Sequence, residues 1–461
     1  MLTRTANRDS RLSLWLRVRE FAVPPSMIDI ATARRHTGDW AGACAAARVD
    51  VDLDLRSVAR AHGRELAARV RDDLRHLAPD LLRWHMPRIA PDGLLRPGLT
   101  MALARYDDPD GAGDGSVYLV ARTPPAWADA GQRISLMVWD GTRRAGDAER
   151  RRYPHPHPDR RFRLDLHRHL WDARRSGELR IRSGADRLPA DDPAESLPEP
   201  LPALPAGRSC AVDRWAAEAG IVLRAEGRST GTVTVRIGVR HRLALDLIAD
   251  RDDVGPPALR ISVASAGAAE STILPDAATW VPPDLDLIRA GAIDVDRLHP
   301  LVGAALAADH APTEPSRTGH PTEPPTGRPR PVECRGARHR IGLVDGVLVP
   351  LDHDPAEIRR EELLAALTGT PLPCLRVIDE VHRRPECLTG VRERLDHGDF
   401  AGALTIVEGL LGPDALLRAG ALRDELATAA QRRIVYGLFR AGLTGPGPRP
   451  DRRGPRRRRS H

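Results

Sequence analysis

Two proline-rich stretches set the organisation of this 461-residue chain. Residues 188–206 contain six prolines and residues 311–331 contain seven. Because proline lacks a backbone N–H and resists both helix and sheet, both stretches are predicted to be extended linkers. They separate the chain into three parts, residues 1–187, 207–310 and 332–461, and the last of these ends in a basic tail at residues 444–461. The third part below means residues 332–443.

Hydrophobic periodicity within these parts predicts a mixed α+β fold. The first part is predicted to form a helical hairpin and further helix, followed by an antiparallel meander that ends at Phe162–Leu166. The second is predicted to be a small mixed helix and strand domain. The third opens with a β-hairpin around Asp345-Gly346 and continues as a helical domain. Whether this hairpin pairs with strands of the second part is left open.

The chain contains no lysine: all 70 residues counted as Lys or Arg are arginines. A P-loop, a protein kinase and a pyridoxal-phosphate enzyme each require a lysine at the reacting group. These three classes of activity are therefore excluded. Over its whole length the sequence resembles the large uncharacterised protein families of GC-rich actinobacteria, a likeness that implies no particular activity.

The formal net charge of +7 is concentrated near the C-terminus. Residues 449–461 contain seven arginines and one aspartate, a net +6, which leaves +1 for residues 1–448. A basic tail of this kind, predicted to be disordered, favours non-specific contact with phosphate backbones. The candidate nucleic-acid contacts are Arg456, Arg457, Arg458 and Arg459.

The five cysteines are widely spaced and form no Cys-x-x-Cys pair. This spacing argues against a disulfide framework and against a zinc ribbon. No apolar run reaches the length of a membrane span, and arginines interrupt the N-terminal apolar residues, so neither a membrane partner nor a signal peptide is predicted. We expect buried free thiols and a cytoplasmic location.

A six-residue motif occurs twice, as Gly38–Ala43 and, 360 residues later, as Gly398–Ala403. In each copy the glycine is predicted to end one helix in the left-handed conformation, and the aspartate after it is predicted to cap the next helix. Both copies resemble the turn between the helices of tetratricopeptide-like hairpins. Two copies this far apart do not make a stacked array, so two separate hairpins are expected.

Three short motifs lack the context that their chemistry requires. Val377–His382 and Ala366–Pro371 resemble the acidic box and motif III of helicases, but their order is reversed and the phosphate-binding lysine is missing. Gly227–Gly231 matches the Gly-x-Ser-x-Gly string of a nucleophile elbow. A helix is predicted before it and a strand after it, which is the inverse of an elbow.

Aspartates alternate with apolar residues along Val49–Leu55. If this stretch is a strand, Asp50, Asp52 and Asp54 share one face and have the chemistry to bind Mg²⁺. A row of like charges is also typical of an edge strand that resists aggregation, and we favour this second interpretation.

Four histidines form the remaining candidate site, namely His155, His157, His167 and His169. In a β-strand, residues i and i+2 share a face, so each His-x-His pair can present two imidazoles to one divalent metal ion. Asp165 would point the same way as His167. On a helix the members of a pair would diverge and the site would not form.

Three hypotheses follow. We favour a non-catalytic cytoplasmic protein that acts as an interaction or regulatory scaffold with a protein partner and needs no cofactor, because no complete catalytic motif is present. The second hypothesis is a metal-dependent enzyme that uses the four histidines. The third is a nucleic-acid-associated protein that binds through its arginine-rich tail.

Truncation after Gly447 tests the third hypothesis. Each phosphate contact adds salt-dependent affinity, so the full chain is expected to be retained on immobilised DNA or RNA at low salt, while the truncated chain elutes without delay. Unchanged retention of the truncated chain would show that the tail is not needed for nucleic-acid binding.

Overall fold

The computed structural model describes residues 11–107, 116–141, 157–186, 209–238, 241–248, 258–264, 272–307, 330–334, 337–344, 347–368, 373, 375, 385–411, 417 and 420–443. Within these ranges the fold is mixed α+β, as predicted, with helices towards both ends and several small sheets between them. None of the helices in these ranges combines the length and hydrophobicity that a bilayer-spanning segment requires.

The first part contains the predicted helical hairpin. Helices α1 (Pro25–His36) and α2 (Trp40–Ala46) pack against each other, and Pro25 occupies the first turn of α1, where a missing N–H has no cost. Gly38 is left-handed with φ +76°. The N–H of Gly42 donates to Asp39 Oδ1 at 2.8 Å, so the aspartate caps α2 as predicted. Two helices follow: α3 (Leu55–His76) and α4 (Pro79–His85).

A four-stranded sheet packs against these helices. In space its order is β1-β6-β5-β4, with β1 parallel to β6 and the other pairs antiparallel. The largest apolar core of the described residues joins this sheet to the helices, for example through Leu74, Met101 and Leu136. The strands of this part, including the separate β2–β3 ribbon, are β1 (Val49–Val51), β2 (Arg88–Ile89), β3 (Leu94–Leu95), β4 (Thr100–Tyr106), β5 (Val117–Arg122) and β6 (Ile134–Asp140).

Strand β1 lies at an edge of the sheet, as predicted from its acidic row. Its carboxylates do not converge on a common point. Arg133 binds Asp50 through two hydrogen bonds of 2.8 and 2.5 Å, and Arg440 from the other end of the chain contacts Asp52. Asp54 caps α3. Each aspartate therefore has a separate structural partner.

The strand predicted at Phe162–Leu166 is wrong. Arg163 forms a single bridge to Ala102, and the backbone on either side of it is folded into turns. The N–H of Phe162 donates to Asp159 O at 2.9 Å, and the Arg163 guanidinium binds the carboxylate of Asp165. Short-range polar contacts of this kind compete with strand pairing and override the apolar alternation.

The second part has its own sheet, covered by helix α6 (Val212–Ala225). The strand order is β10-β7-β8-β9, with β10 parallel to β7 and the other pairs antiparallel. Trp215 of α6 is fully buried in the core between helix and sheet. The strands are β7 (Gly231–Ile237), β8 (His241–Ile248), β9 (Ala258–Val263) and β10 (Thr272–Ile273).

The helices that end the second part pack on the first part. They are α7 (Asp276–Thr279), α8 (Pro283–Arg289) and α9 (Pro300–Leu306). The last helix of the first part is the short α5 (Leu179–Ser183). Leu287 and Val302 belong to the same apolar core as Leu74 of α3. This core therefore crosses the boundary that the first proline-rich stretch predicts.

The third part opens with an antiparallel three-stranded sheet of β11 (Arg330–Cys334), β12 (Ala337–Val344) and β13 (Val347–Pro350). The predicted hairpin, β12 and β13, thus pairs with β11. The first two residues of β11 come from the end of the second proline-rich stretch. Asp354 Oδ1 accepts from the N–H of Ala356 at 2.8 Å, as expected of a helix cap. The helices that follow are α10 (Pro355–Thr368), α11 (Pro385–Asp396), α12 (Phe400–Leu411) and α13 (Ala421–Ala441).

The second copy of the repeated motif has the local geometry of the first. Arg394 binds Asp399 Oδ2 at 2.7 Å, as Arg34 binds Asp39 Oδ2 at 2.9 Å. The N–H of Gly402 donates to Asp399 Oδ1 at 3.2 Å. The two helical hairpins predicted from the motif are both confirmed.

The turn between α11 and α12 is docked on the first part of the chain. His397 O accepts from Arg48 Nη1 at 2.7 Å and from Arg83 Nη2 at 3.5 Å. Gly398, with φ +80°, touches the backbone of Gly131 so closely that a Cβ at Gly398 would lie 2.3 Å from Gly131 O. The docked turn therefore requires glycine for its φ and for its contact.

Alanine substitutions at the two equivalent glycines separate these requirements. Gly38→Ala adds only the left-handed strain, because nothing lies within 4 Å of its Cβ, and is expected to cost about 1 kcal/mol of unfolding free energy. Gly398→Ala adds the steric overlap with Gly131 and is expected to cost about 2–4 kcal/mol. Urea unfolding measures both, and equal losses would contradict the docked geometry.

Candidate functional site

Helix α4 carries the buried polar side chains around which the candidate site is built. His299 Nε2 donates to Asp80 Oδ2 at 2.8 Å, while its Nδ1 accepts from the N–H of Leu301 at 3.2 Å. Trp84 Nε1 donates to Asp284 Oδ2 at 2.8 Å. Because all four side chains of these two pairs are buried, the contacts fix α4 against α8 and α9.

His85, at the end of α4, has oxygens near both ring nitrogens, but its buried Nε2 makes no hydrogen bond within the described residues. Nδ1 lies 3.1 Å from Leu81 O and 3.2 Å from Leu170 O, and Nε2 lies 3.3 Å from Asp284 Oδ2. Burial alone would raise the pKa of Asp284, but its contacts with His85 and Trp84 outweigh burial and hold that pKa below its ordinary value.

Beside α4 lies a cavity of about 370 Å³. Trp15, Phe162 and Trp280 form its aromatic walls, and His85 and His169 also line it. The space is lined by residues of the first part of the chain and by residues within 276–283. Its size and its mixture of aromatic walls with a few polar groups are typical of sites for small organic ligands.

His169 is the most unusual side chain of the wall. Its Nδ1 is buried and has no hydrogen-bond partner among the described residues. Burial, followed by the nearby His167 and Arg182, holds the pKa of His169 well below its ordinary value, so the ring is neutral at pH 7. A buried polar atom without a partner costs about 1–3 kcal/mol, which a hydrogen-bonding ligand would recover.

Two arginines of the wall are neutralised by carboxylates. Arg161 binds Asp276 with hydrogen bonds of 3.2 and 2.7 Å. Arg182 binds Glu218 with hydrogen bonds of 2.5 and 2.7 Å. Both pairs are bidentate and join the first part of the chain to the second.

Two other arginines of the wall have no carboxylate partner in the described ranges. Arg88 donates through Nη1 to Gly93 O at 3.0 Å and through Nη2 to Arg83 O at 2.6 Å, while its buried Nε has no acceptor. Burial lowers the pKa of Arg88 to about 9, so it is still charged at pH 7. Arg96 is exposed at the rim. The wall therefore carries uncompensated positive charge.

The structure brings together two of the four histidines predicted to bind metal. The rings of His167 and His169 lie 5.8 Å apart, with His167 just before and His169 within a 3₁₀ turn at Arg168–Leu170, so this pair is not on a strand. His167 Nε2 lies 3.2 Å from Glu218 Oε2, and its Nδ1 lies 2.9 Å from Arg163 O. His167 thus has a structural role, and only His169 faces the cavity.

His157 lies elsewhere, with its ring edge-on to Trp139 at 5.7 Å. His155 is outside the described residues. Across the parts of the chain that are described, no group of three or more His, Cys, Asp and Glu side chains could hold a metal ion. The metal hypothesis, which includes His155, stays a prediction.

The other motifs singled out by sequence have no site role in the described residues. Gly227–Gly231 lies between helix α6 and strand β7, the order that excludes a nucleophile elbow. The helicase-like box at Val377–His382 and the tail arginines Arg456–Arg459 lie outside the described residues. Cys44 and Cys210 are free and buried, as predicted.

A second depression is lined by charged residues of α3 and of the turns after Arg168. Arg168 contacts Asp73 and binds Asp172 at 2.8 Å, and Arg174 binds Asp172 at 3.1 Å. Tyr106 donates its hydroxyl to Asp73 Oδ2 at 2.7 Å. These groups neutralise one another, so the depression is a structural ion-pair network.

Sequence reasoning missed most of the cavity. His85, Arg88 and Trp280 were not among the candidates, and His169 was proposed only as a metal ligand. The string Arg83–Pro87, which reads Arg-Trp-His-Met-Pro, places polar and aromatic residues together at a helix end and was the one available signal. Nothing in the sequence connects this helix end with residues 276–283.

Comparison with known proteins provides no relative, because no protein-family model, no curated protein and no solved structure matches this chain.

The buried Glu218 predicts a specific dependence of stability on pH. Burial raises its pKa, but hydrogen bonds from His167 and Arg182 outweigh burial and lower the pKa to about 2. The stabilisation is therefore complete above the ordinary pKa of 4.5 and is lost as the pH falls towards 2. Glu218→Gln is expected to cost about 3 kcal/mol of unfolding free energy at pH 7, a difference that shrinks below pH 4.5.

The matched control is Glu178→Gln, which breaks the exposed pair with Arg175 and is expected to change the unfolding free energy by less than about 1 kcal/mol. Urea unfolding at several pH values compares the two variants. A Glu218→Gln difference that does not change between pH 7 and pH 3 would contradict the ion-pair assignment.

Proposed function

We propose that this protein is a non-catalytic binding protein that holds a small organic molecule in the cavity beside α4. The observation that carries the proposal is the buried Nδ1 of His169, which has no partner in the described residues and belongs to a residue of the cavity wall. Buried polar atoms in folded proteins nearly always have a partner. A hydrogen-bonding group of the ligand supplies the missing one.

The side chains of the wall favour binding over catalysis. The described residues that line the cavity include no serine, threonine, cysteine or tyrosine, so they offer no hydroxyl or thiol nucleophile. His85 hydrogen-bonds through Nδ1, and its Nε2 lies 3.3 Å from Asp284 Oδ2. His169 has an open nitrogen, but no carboxylate among the described residues orients it as a general base.

The position of α4 supports a regulatory role for this binding. His85 lines the cavity, while Arg83 donates to Ala22 O at 2.9 Å, to Gln132 O at 2.5 Å and to His397 O at 3.5 Å. One short helix therefore contacts both the ligand cavity and the docked C-terminal hairpin. Occupancy of the cavity would stabilise the docked hairpin, which supports the interaction or regulatory role expected from the sequence.

Filling the cavity tests the proposal. The full chain is screened by thermal unfolding against a library of neutral, anionic and cationic small organic molecules. Ligands of the cavity are expected to raise the unfolding temperature by roughly 2–4 °C at saturating concentration. Ala277→Phe places a ring inside the wall and is expected to abolish these shifts.

Two further variants make the screen decisive. Ala277→Leu fills less of the cavity and is expected to weaken the shifts. It replaces Ala277→Phe in the test if that variant disturbs the fold. Ala33→Phe makes the same change on the exposed face of α1 and leaves the shifts intact. The proposal fails if no compound stabilises the wild-type chain, or if the same compounds stabilise Ala277→Phe equally.

A further inference from the structure

The charges around the cavity select the sign of the ligand. The single carboxylate of the wall, Asp276, is bound by Arg161, and the Glu218 carboxylate behind the wall is bound by Arg182. A third carboxylate, Asp284, lies behind His85 and accepts from Trp84 Nε1. Arg88 and Arg96 stay without a carboxylate partner in the described ranges. A neutral or cationic ligand would leave this positive charge uncompensated, whereas one negative charge would balance part of it.

The geometry of Arg88 favours a carboxylate. Its two Nη groups are held by the backbone carbonyls of Gly93 and Arg83, so the guanidinium is fixed in place and its buried Nε–H lacks an acceptor. A carboxylate oxygen accepts such a bond in the guanidinium plane. A phosphate group carries nearly two negative charges, more than the one buried charge of Arg88 can balance.

The aromatic walls and the volume of the cavity favour a ligand with a flat aromatic ring system. Trp15, Phe162 and Trp280 present aromatic rings to a space of about 370 Å³. Flat aromatic groups bury the most apolar area against such rings and gain from offset or edge-on contacts. The cavity can hold a fused two-ring system together with one polar group.

We infer that the ligand is a flat aromatic monocarboxylate with a hydroxyl or amino substituent. Its rings lie among Trp15, Phe162 and Trp280, its carboxylate points to Arg88 and Arg96, and its substituent pairs with His169 Nδ1. This inference rests on the proposed function, since it specifies the ligand of the same cavity.

Titration calorimetry on the full chain tests the inference with two probes, 6-hydroxy-2-naphthoate and its neutral counterpart 6-hydroxy-2-naphthamide. The carboxylate is expected to bind at least about tenfold more tightly than the amide, because a hydrogen bond to a charged acceptor is stronger than one to a neutral acceptor. Arg96→Gln is expected to weaken binding of the carboxylate several-fold and to leave the amide unchanged. Arg96 is exposed, so this variant keeps the fold.

Two matched comparisons complete the design. Arg56→Gln removes an exposed arginine that does not line the cavity and is expected to leave both probes unaffected. His169→Phe keeps a ring of similar size and removes the open nitrogen. It is expected to abolish the preference of the wild-type chain for 6-hydroxy-2-naphthoate over 2-naphthoate.

The outcomes distinguish the inference from the proposed function. If the amide binds as tightly as the carboxylate, or if Arg56→Gln weakens the carboxylate as much as Arg96→Gln does, the assignment of an anionic ligand is overturned while the cavity remains a binding site. If neither probe binds, the aromatic carboxylate is overturned, and the library screen with Ala277→Phe decides the proposed function separately.

Discussion

The buried polar side chains of α4 need hydrogen-bond partners, and this need determines how the described segments of the chain pack together. Asp80 and Trp84 find their partners on the helices that end the second part, and Arg83 finds its partners in the first part and in the C-terminal hairpin. An unpaired buried polar group costs on the order of 1–3 kcal/mol. The segments therefore come together around one seven-residue helix because separating them would leave several such groups unpaired.

The cavity is a product of this arrangement. Its wall is complete only where residues 276–283 lie against the first part of the chain, so no single part forms it. The bidentate pairs Arg161–Asp276 and Arg182–Glu218 hold that junction together. A molecule bound there touches the junction itself, and its binding energy is added to the association of the two parts.

Much of the local structure could be predicted from the sequence because its signals are local. The glycine and aspartate of each repeated motif determine a helix end and a helix cap, and Asp345-Gly346 marks the turn of a hairpin. The segment Phe162–Leu166 was misjudged because polar contacts of Asp159 and Asp165 override its apolar alternation. The cavity could not be predicted, since it depends on contacts between residues about 200 positions apart, such as Trp84 with Asp284.

At the contact between Gly131 and Gly398, two backbone segments touch with no side chain between them. Neighbouring side chains can usually absorb a mutation by changing rotamer, but the atoms nearest to a Cβ at Gly398 belong to the backbone of Gly131. Substitution at Gly398 is therefore blocked unless the turn is rebuilt. The C-terminal hairpin and the loop that contacts it are thus expected to be inherited together. A chimaera that exchanges only one of them would lose the contact between the hairpin and the loop.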